Sequence, residues 1–370
     1  MGRQYAALIT TLALLSACTG AADKGAGREG GGPGDSGGAD TGPIDPGPSP
    51  YTLDDLLRLN HVQAKGTHNS YHLRSERIVD ESHDYDHAPL DVQLQAQGVR
   101  QFELDLHLHE TLGWQVFHLP GGIDEGTTCL QLRDCLGLMK VWSDQNPYHL
   151  PIVVWFEPKD EDLDWAIPEL LEYIGREAEI EDAVLEVIPE QRILRPDEVR
   201  GAHPDLPTAL AADGWPTLGA LRGRFIFAML DSGPHRDAYL EGHPALEGRL
   251  MFATADSVTA PYAAMLKIND AVGSGDVVAE ALAAGMVVTS NVESAGQTDA
   301  ENAAKREGSL ASGAHFLSSD YPAPVAGREG HLEIPGGSPA GCNPVTAPAE
   351  CAPGQVEDLE AARALREAEE

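Results

Sequence analysis

The sequence has few basic residues. Its 370 residues include 25 lysines and arginines against 59 aspartates and glutamates, which gives a formal net charge of −34. We expect no nucleic-acid partner, because neutralising phosphates requires clustered Lys and Arg. The acidity has two interpretations, since it can keep the chain soluble or attract divalent cations. The length allows one large domain or two small ones.

The sequence also lacks a hydrophobic run long enough to act as a stop-transfer helix. A short apolar run at 8–15 follows Arg3, which is typical of a signal peptide. The run ends in Leu-Ser-Ala-Cys, which resembles a bacterial lipobox, so we expect 1–18 to be a lipoprotein signal peptide with Cys18 as the lipidated residue. The alternative is an ordinary signal peptide cut near Ala17. Either way we expect export, and the lipobox predicts a lipoprotein of the cell envelope or cell surface.

Cysteine is scarce as well. Without Cys18, four cysteines remain, and an even number in an exported protein indicates two disulfides. Three pairings are possible. The local pairings, Cys129 with Cys135 and Cys342 with Cys351, close the shortest loops. Zinc binding by these cysteines is the weaker alternative, because no C-x-x-C spacing occurs.

Composition divides the chain into four parts. Residues 19–50 are rich in Gly, Asp and Pro and too poor in large apolar residues to fold, so we expect a disordered linker. One catalytic domain is predicted over 53–353. Residues 354–370 are expected to form an acidic C-terminal tail.

Short β-rich runs alternate with helical patterns inside the predicted domain. The runs lie at 62–66, 99–106, 115–118, 152–157, 224–230, 249–253, 286–290 and 315–319. Helix-like segments include 163–178 and 277–284. This alternation predicts an α/β fold, a (β/α)₈ TIM barrel, although 265–269 would make a ninth strand. An open doubly wound sheet is the alternative, but no glycine-rich dinucleotide turn follows the first strand.

The run 101–109 alternates strictly between apolar and ionisable residues. Glu103, Asp105, His107 and His109 would share one face of a strand. A half-exposed strand whose polar face contacts water would show the same alternation. Yet two other apolar runs end in His118 and Glu157, and this recurrence favours a metal or acid–base site.

Catalytic residues of such a barrel lie at the carboxyl ends of its strands, and the ionisable residues follow this rule. The hard oxygen donors suit calcium, because carboxylates without a cation would repel one another. They are Asn69, Glu103, Asp105 and Glu157. Zinc is the alternative and would recruit His107, His109 or His118. His68 and His118 can serve as an acid–base pair near neutral pH.

Ordered fragments of the chain resemble the secreted, calcium-dependent bacterial phosphatidylinositol-specific phospholipases C. They are K-G-T-H-N-S at 65–70, F-E-L-D at 102–105, V-F-H at 116–118, F-E-P-K-D at 156–160, and downstream pieces at 129–135, 313–321 and 342–345. The resemblance spans roughly residues 53–353 and implies intramolecular phosphoryl transfer. The inositol 2-hydroxyl attacks the phosphodiester of an inositol phospholipid at a membrane surface, diacylglycerol leaves, and a cyclic inositol phosphate forms.

The resemblance also implies roles for single residues. His68 would stabilise the phosphate, and His118 would be the other half of the acid–base machinery. Calcium is the implied cofactor, with Glu157 as both ligand and candidate base. Lys159 is expected to contact phosphate, although it could equally be a surface lysine paired with Asp160 or Glu161. We expect a monomer held at the membrane by its N-terminal lipid.

Two alternatives remain at this point. A glycerophosphodiester phosphodiesterase of the same superfamily typically opens with His-Arg after the first strand, whereas this chain has His68-Asn69. The second alternative is a non-catalytic surface lipoprotein that binds a phosphorylated polyol. It would fit one departure of this chain from the phospholipase C pattern. The family often carries Arg-x-Arg on the penultimate strand, and the matching stretch at 287–291 has no arginine.

Overall fold

The computed structural model describes residues 49–160, 167–336, 339–358 and 360. The predicted signal peptide, most of the linker and most of the C-terminal tail therefore lie outside the described residues. No helix in the described part is both long and apolar enough to span a membrane.

Eight parallel strands form a nearly closed barrel, which confirms the predicted (β/α)₈ fold. In spatial order they are β7 (Phe252–Ala253), β6 (Phe225–Met229), β4 (Ile152–Pro158), β2 (Val99–His109), β1 (Val62–Thr67), β10 (Phe316–Ser319), β9 (Val287–Glu293) and β8 (Met265–Ile268). A single bridge between Thr254 and Met265 links the two ends of this order. The run at 265–269 therefore supplies one of the eight strands.

Three short strands lie outside the barrel path. They are β3 (Gly113–Val116), β5 (Leu170–Leu171) and β11 (Ala340–Cys342). The strand predicted at 115–118 was expected in the barrel, but β3 instead pairs antiparallel with the end of β2. The reason is the short turn between them, which allows a hairpin but no helical crossover.

Helices cover the outside of the strands. They are α1 (Leu90–Ala96), α2 (Leu132–Gln145), α3 (Ala178–Leu185), α4 (Pro196–Arg200), α5 (Leu206–Ala212), α6 (Leu218–Leu221), α7 (Pro234–Leu240), α8 (Gly275–Ala283) and α9 (Asp299–Ser312). Single 3₁₀ turns occur at Leu59–His61, Glu81–His83, Glu190–Arg192 and Pro353–Gln355. The segment 277–284 is helical as expected.

The helix predicted at 163–178 is wrong over its described part. Residues 167–177 contain β5 and no helix, and α3 begins only at Ala178. Pro168 lacks the backbone N–H that a helix interior needs, and Gly175 adopts a left-handed conformation with φ of 86°. These two residues break the periodic pattern that had suggested a helix.

The apolar side chains of β2 pack outward into the core, and its polar ones point into the barrel. Phe102, Leu104 and Leu106 are completely buried. Inside the barrel, Gln101 approaches β1 so closely that a Cβ on Gly66 would lie 2.1 Å from its side-chain oxygen. Glycine at this position of the K-G-T-H-N-S fragment is therefore a packing requirement.

The packed domain extends beyond Pro353, its predicted end. Glu357 is buried and pairs with the buried guanidinium of Arg100 at 2.7 Å. Because an unpaired buried charge is costly, this ion pair ties the residues after Pro353 to the start of β2. Both local disulfides, Cys129–Cys135 and Cys342–Cys351, are present.

Candidate active site

Three carboxylates converge at the carboxyl ends of β2 and β4. Asp105 and Glu157 are direct neighbours in the parallel register, and Glu103 lies on the same face of β2. Each of the three offers one oxygen within 4.8 Å of the others. Asn69, which follows β1, lines one cavity with Glu103 and Glu157 and has a positive φ of 42°. Asparagine tolerates this left-handed conformation better than most residues.

Two lysines provide the counter-charges for these carboxylates. Lys159 Nζ lies 2.7 Å from Glu157 Oε1 and 3.4 Å from Asp105 Oδ2. Lys267, which the sequence pattern alone hardly singled out, donates to Glu103 Oε2 from the far side of the barrel. Lys159 therefore points into the mouth. Asp160, one of the partners considered for it, instead bonds His235 and Tyr173.

The carboxylates repel one another in spite of the lysines. Burial and the charge of Asp105 raise the pKa of Glu157 to about 7, against the opposing charge of Lys159. Both oxygens of Asp105 are buried and accept no well-formed hydrogen bond from the described residues. A group of this kind has unused capacity to bind a cation.

The residues therefore fit calcium. Carboxylate oxygens and an amide are the donors that calcium prefers, and three carboxylates offset its charge. Zinc would favour nitrogen donors. Among the described residues, neither His107 nor His109 belongs to a group of side chains that could share a metal ion. His107 Nε2 faces the Phe117 and His118 carbonyls, and His109 Nδ1 accepts from the backbone of the hairpin turn.

His68 stands beside this cluster, held by an aspartate. Its Nδ1 donates to Asp320 Oδ1 at 2.9 Å, and its Nε2 lies 3.7 Å from Glu103 Oε1. Burial disfavours the protonated ring, but the charges of Asp320 and Glu103 outweigh it and raise the pKa of His68 to about 9. His87 also donates to the His68 carbonyl at 2.8 Å. His68 is thus an oriented imidazolium at neutral pH.

His118 reaches the same cavity from outside the barrel. It was expected to end a barrel strand, but it lies just after β3 of the hairpin. His118 Nδ1 donates to Asp124 Oδ2 at 2.9 Å, which leaves Nε2 free. The ring of His107 stacks on Phe117 at 3.9 Å between centroids, and its Nε2 lies 3.1 Å from the Phe117 carbonyl and 3.2 Å from that of His118. His107 therefore packs against the segment that carries His118.

Sequence reasoning missed the two aspartates that hold the histidines. Asp320 directly follows β10, so the rule that functional residues lie at the carboxyl ends of strands could have found it. Asp124 lies in a loop, where no periodic pattern marks it. Its pKa is held well below the usual range by hydrogen bonds from His118 and His72, which outweigh burial.

One cavity of about 550 Å³ at the barrel mouth is lined by His68, Asn69, Glu103, His118 and Glu157. Its lysine and arginine side chains among the described residues are Lys159 and Lys267. Asn291 of β9 also lines it, from the stretch at 287–291 that lacks the Arg-x-Arg of the family pattern. A protonated histidine, a second oriented histidine and a carboxylate of near-neutral pKa are a set that can move protons during displacement at phosphorus.

Comparisons with known proteins agree with this geometry. The family model described as Phosphoinositide phospholipase C, Ca2+-dependent, matches residues 57–113 and 108–344. No curated protein matches the sequence.

Solved structures of low identity share the fold. A calcium-dependent phosphatidylinositol-specific phospholipase C from Streptomyces antibioticus is 19% identical, covers 72% of this chain and 95% of its own, and has a TM-score of 0.50. An apo calcium-dependent phosphoinositol-specific phospholipase C from Pseudomonas sp is 18% identical, with 74% and 94% coverage and a TM-score of 0.53. A myoinositol complex of the Pseudomonas enzyme is 17% identical, with 72% and 92% coverage and a TM-score of 0.52.

Proposed function

The chain belongs to the family of calcium-dependent phosphoinositide phospholipases C, and on that premise we propose how its own residues divide the reaction. The enzyme is a phosphodiesterase that acts on inositol phospholipids at membranes. One observation carries the assignment of residues: His68, oriented by Asp320, lines the same cavity as Glu103 and Glu157 of the carboxylate cluster.

The reaction is an intramolecular displacement at phosphorus. The inositol 2-hydroxyl forms a bond to phosphorus, and the bond from phosphorus to the glycerol oxygen breaks. The hydroxyl proton must go to a base and the glycerol oxygen must gain a proton, so diacylglycerol leaves as a neutral alcohol and a cyclic inositol phosphate remains. Hydrolysis of the cyclic phosphate to the linear phosphate would follow at the same site.

Glu157 is the base that takes the hydroxyl proton. Its carboxylate lines the cavity beside His68 and Asn69, where it can accept that proton. His118 is the acid for the glycerol oxygen. Its Nδ1 is held by Asp124, so the free Nε2 is the atom that exchanges the proton.

His68 stabilises the charge that builds up on the phosphate oxygens. Its raised pKa keeps the ring protonated at neutral pH, and its Nε2 faces the cavity because Nδ1 is committed to Asp320. Lys159 is the second cation that contacts the phosphate, from the other side of the cluster.

Asn69, Glu103, Asp105 and Glu157 would hold the calcium ion. A bound calcium ion supplies positive charge that lowers the pKa of the attacking hydroxyl and offsets charge on a phosphate oxygen. Lys159 and Lys267 neutralise the same carboxylates when no calcium is bound.

Export and membrane attachment are parts of the same proposal. The two disulfides are typical of an exported protein. Lipidation of Cys18 would keep this strongly acidic enzyme near anionic lipid, which otherwise repels it. We expect an exported bacterial lipoprotein that acts as a monomer. Mass spectrometry of the mature N-terminus and light scattering check these two points.

Product analysis tests the function. The purified protein is incubated with phosphatidylinositol or with glycerophosphoinositol, in calcium or in EGTA, and the products are followed by ³¹P NMR. A calcium-dependent cyclic phosphate signal from the lipid is expected. If only glycerophosphoinositol gives product, the enzyme is a glycerophosphodiester phosphodiesterase. If neither compound is turned over, the proposal is contradicted.

A further inference from the structure

A second cluster of metal-binding side chains lies at the rim of the mouth. His83, His118 and Asp124 each offer one ligand atom within 4.8 Å of the others. His83 comes from the 3₁₀ turn Glu81–His83, and Asp124 from the loop that follows the hairpin. None of the four residues proposed to hold calcium belongs to this group. The described part of the chain contains two such groups, and this is the one with nitrogen donors.

Three imidazoles converge on the single carboxylate of Asp124. His118 Nδ1 lies 2.9 Å from Asp124 Oδ2, His83 Nδ1 lies 3.4 Å from the same oxygen, and His72 Nε2 lies 2.9 Å from both carboxylate oxygens. One hydrogen bond would be enough to orient His118. The other two rings are therefore not explained by the proton transfer that His118 performs.

The spacing matches a small tetrahedral ion. With bonds of about 2.0–2.1 Å, nitrogen and oxygen ligands of zinc lie about 3.3 Å apart. The ring nitrogens already lie 2.9–3.4 Å from the Asp124 oxygen. The ligand atoms of the three residues all lie within 4.8 Å of one another. His83 and His118 meet edge to face at 5.0 Å between ring centroids, with both rings beside Asp124.

His83 carries an unused ligand atom. Its Nδ1 is buried and forms no well-aligned hydrogen bond with the described residues. Burial lowers the pKa of His83, although the charge of Asp124 works in the opposite direction. The neutral ring is the form that binds a metal. The His83 side chain is 15% exposed, whereas Asp124 is fully buried, so an ion would enter past His83.

We propose that His83, His118 and Asp124 bind Zn²⁺, with a water molecule as the fourth ligand, and that this metal inhibits the enzyme. The site is distinct from the calcium site. Histidine and carboxylate ligands suit zinc, while calcium prefers oxygen donors alone. The four described cysteines are in disulfides and do not compete for the ion.

Inhibition follows from the ligand that the two functions share, and it rests on the catalytic role proposed for His118. Coordination through His118 Nδ1 would take the position from which that atom now bonds Asp124. The ring could then no longer gain and lose a proton with the support of the carboxylate. Zinc binding would also release protons, because the ligands bind in their deprotonated forms.

Binding is measured separately from activity. The full protein, without a histidine tag and in millimolar calcium, is dialysed against micromolar Zn²⁺, and the bound metal is counted by mass spectrometry. Co²⁺ replaces Zn²⁺ for an absorption spectrum that reports tetrahedral nitrogen and oxygen ligation. We expect one zinc per chain. His83→Gln should lose it, with affinity at least about tenfold lower, and the surface variant His203→Gln should keep it.

Activity then tests the inhibitory effect. Zinc should inhibit the wild type and His203→Gln but not His83→Gln, whose turnover without zinc should stay within about twofold of the wild type. Asp105→Asn should still bind one zinc. No zinc at micromolar concentration, or a stoichiometry lost in Asp105→Asn and kept in His83→Gln, would overturn the site. Zinc bound through His83 without inhibition would retain the site and overturn the role of His118, whereas inhibition relieved by excess calcium would place the ion among the carboxylates.

Discussion

The two sides of the barrel mouth use the same kinds of charge in opposite roles. On the carboxylate side, which comprises Asn69, Glu103, Asp105 and Glu157, the acids are the proposed calcium ligands and lysines are their counter-ions. On the histidine side, which comprises His68 with Asp320 and His118 with Asp124, the imidazoles are the proposed catalytic groups and the acids are their counter-ions.

The two sides differ in whether the counter-ion keeps its contact with its partner during the reaction. Lys159 is attached by a flexible side chain and can leave Glu157 when a divalent cation arrives. Asp320 and Asp124 are buried and hold rings that must keep one orientation through the reaction. The carboxylate side therefore has one replaceable partner, Lys159, beside the buried Lys267, whereas both partners on the histidine side are permanent.

Removing either histidine side chain should have the largest effect on turnover. We expect His68→Ala and His118→Ala each to lower kcat by about 10³-fold, because each removes a group that stabilises charge or moves a proton in the transition state. Steady-state kinetics measure the effect, and circular dichroism checks the fold. His203→Ala is the matched surface control. Near-wild-type turnover in either mutant would remove that histidine from the mechanism.

Asp105→Asn should weaken calcium binding on the carboxylate side. Asp105 is buried, and its oxygens have no well-formed hydrogen bonds among the described residues, so its charge is available to the metal. We expect activity at fixed calcium to fall by about 10²-fold and the calcium requirement to rise. Calcium titration of activity measures both. The exposed Glu110→Gln serves as control, and an unchanged calcium requirement for Asp105→Asn would contradict the assignment.

Asp320→Asn should weaken a permanent counter-ion without removing the ring. The charge of Asp320 helps to raise the pKa of His68 to about 9, so its loss should lower that pKa. In the proposed mechanism the protonated ring is the active form. The alkaline limb of the pH–rate profile should therefore move to lower pH, with about 30-fold less activity at pH 8.5. A proportional loss at every pH would indicate a purely structural role for Asp320.

The sequence predicted the carboxylate side much better than the histidine side. Glu103, Asp105 and Glu157 lie on barrel strands, where a period of two residues and the carboxyl-end rule identify them. Asp124 holds His118 from a loop, and loop contacts leave no periodic trace. The strand that leads to His118 has the same apolar pattern as a barrel strand, but its pairing depends on a turn and not on that pattern.

The pH dependence of calcium activation tests whether the carboxylate partners are replaceable. Burial and Asp105 raise the pKa of Glu157 to about 7, so its carboxylate takes up a proton as the pH falls through that value. A proton and a cation compete for the same oxygens. The calcium concentration for half-activation should therefore rise by up to about tenfold per pH unit below pH 7. Titrations at pH 6, 7 and 8 measure it, and equal values at pH 6 and 8 would contradict the competition.

Lys159→Met should have the smallest effect of these substitutions. It tests directly whether Lys159 is a replaceable counter-ion. If the ammonium is a replaceable counter-ion, its removal leaves Glu157 and Asp105 free for calcium, and half-activation should need about threefold less calcium. If the same ammonium contacts phosphate, KM for the lipid should rise several-fold in saturating calcium. Lys140→Met, which loses only a surface pair with Asp144, is the matched control. A variant that needs more calcium than the wild type would make Lys159 a fixed part of the carboxylate side, and the contrast between the two sides would fail.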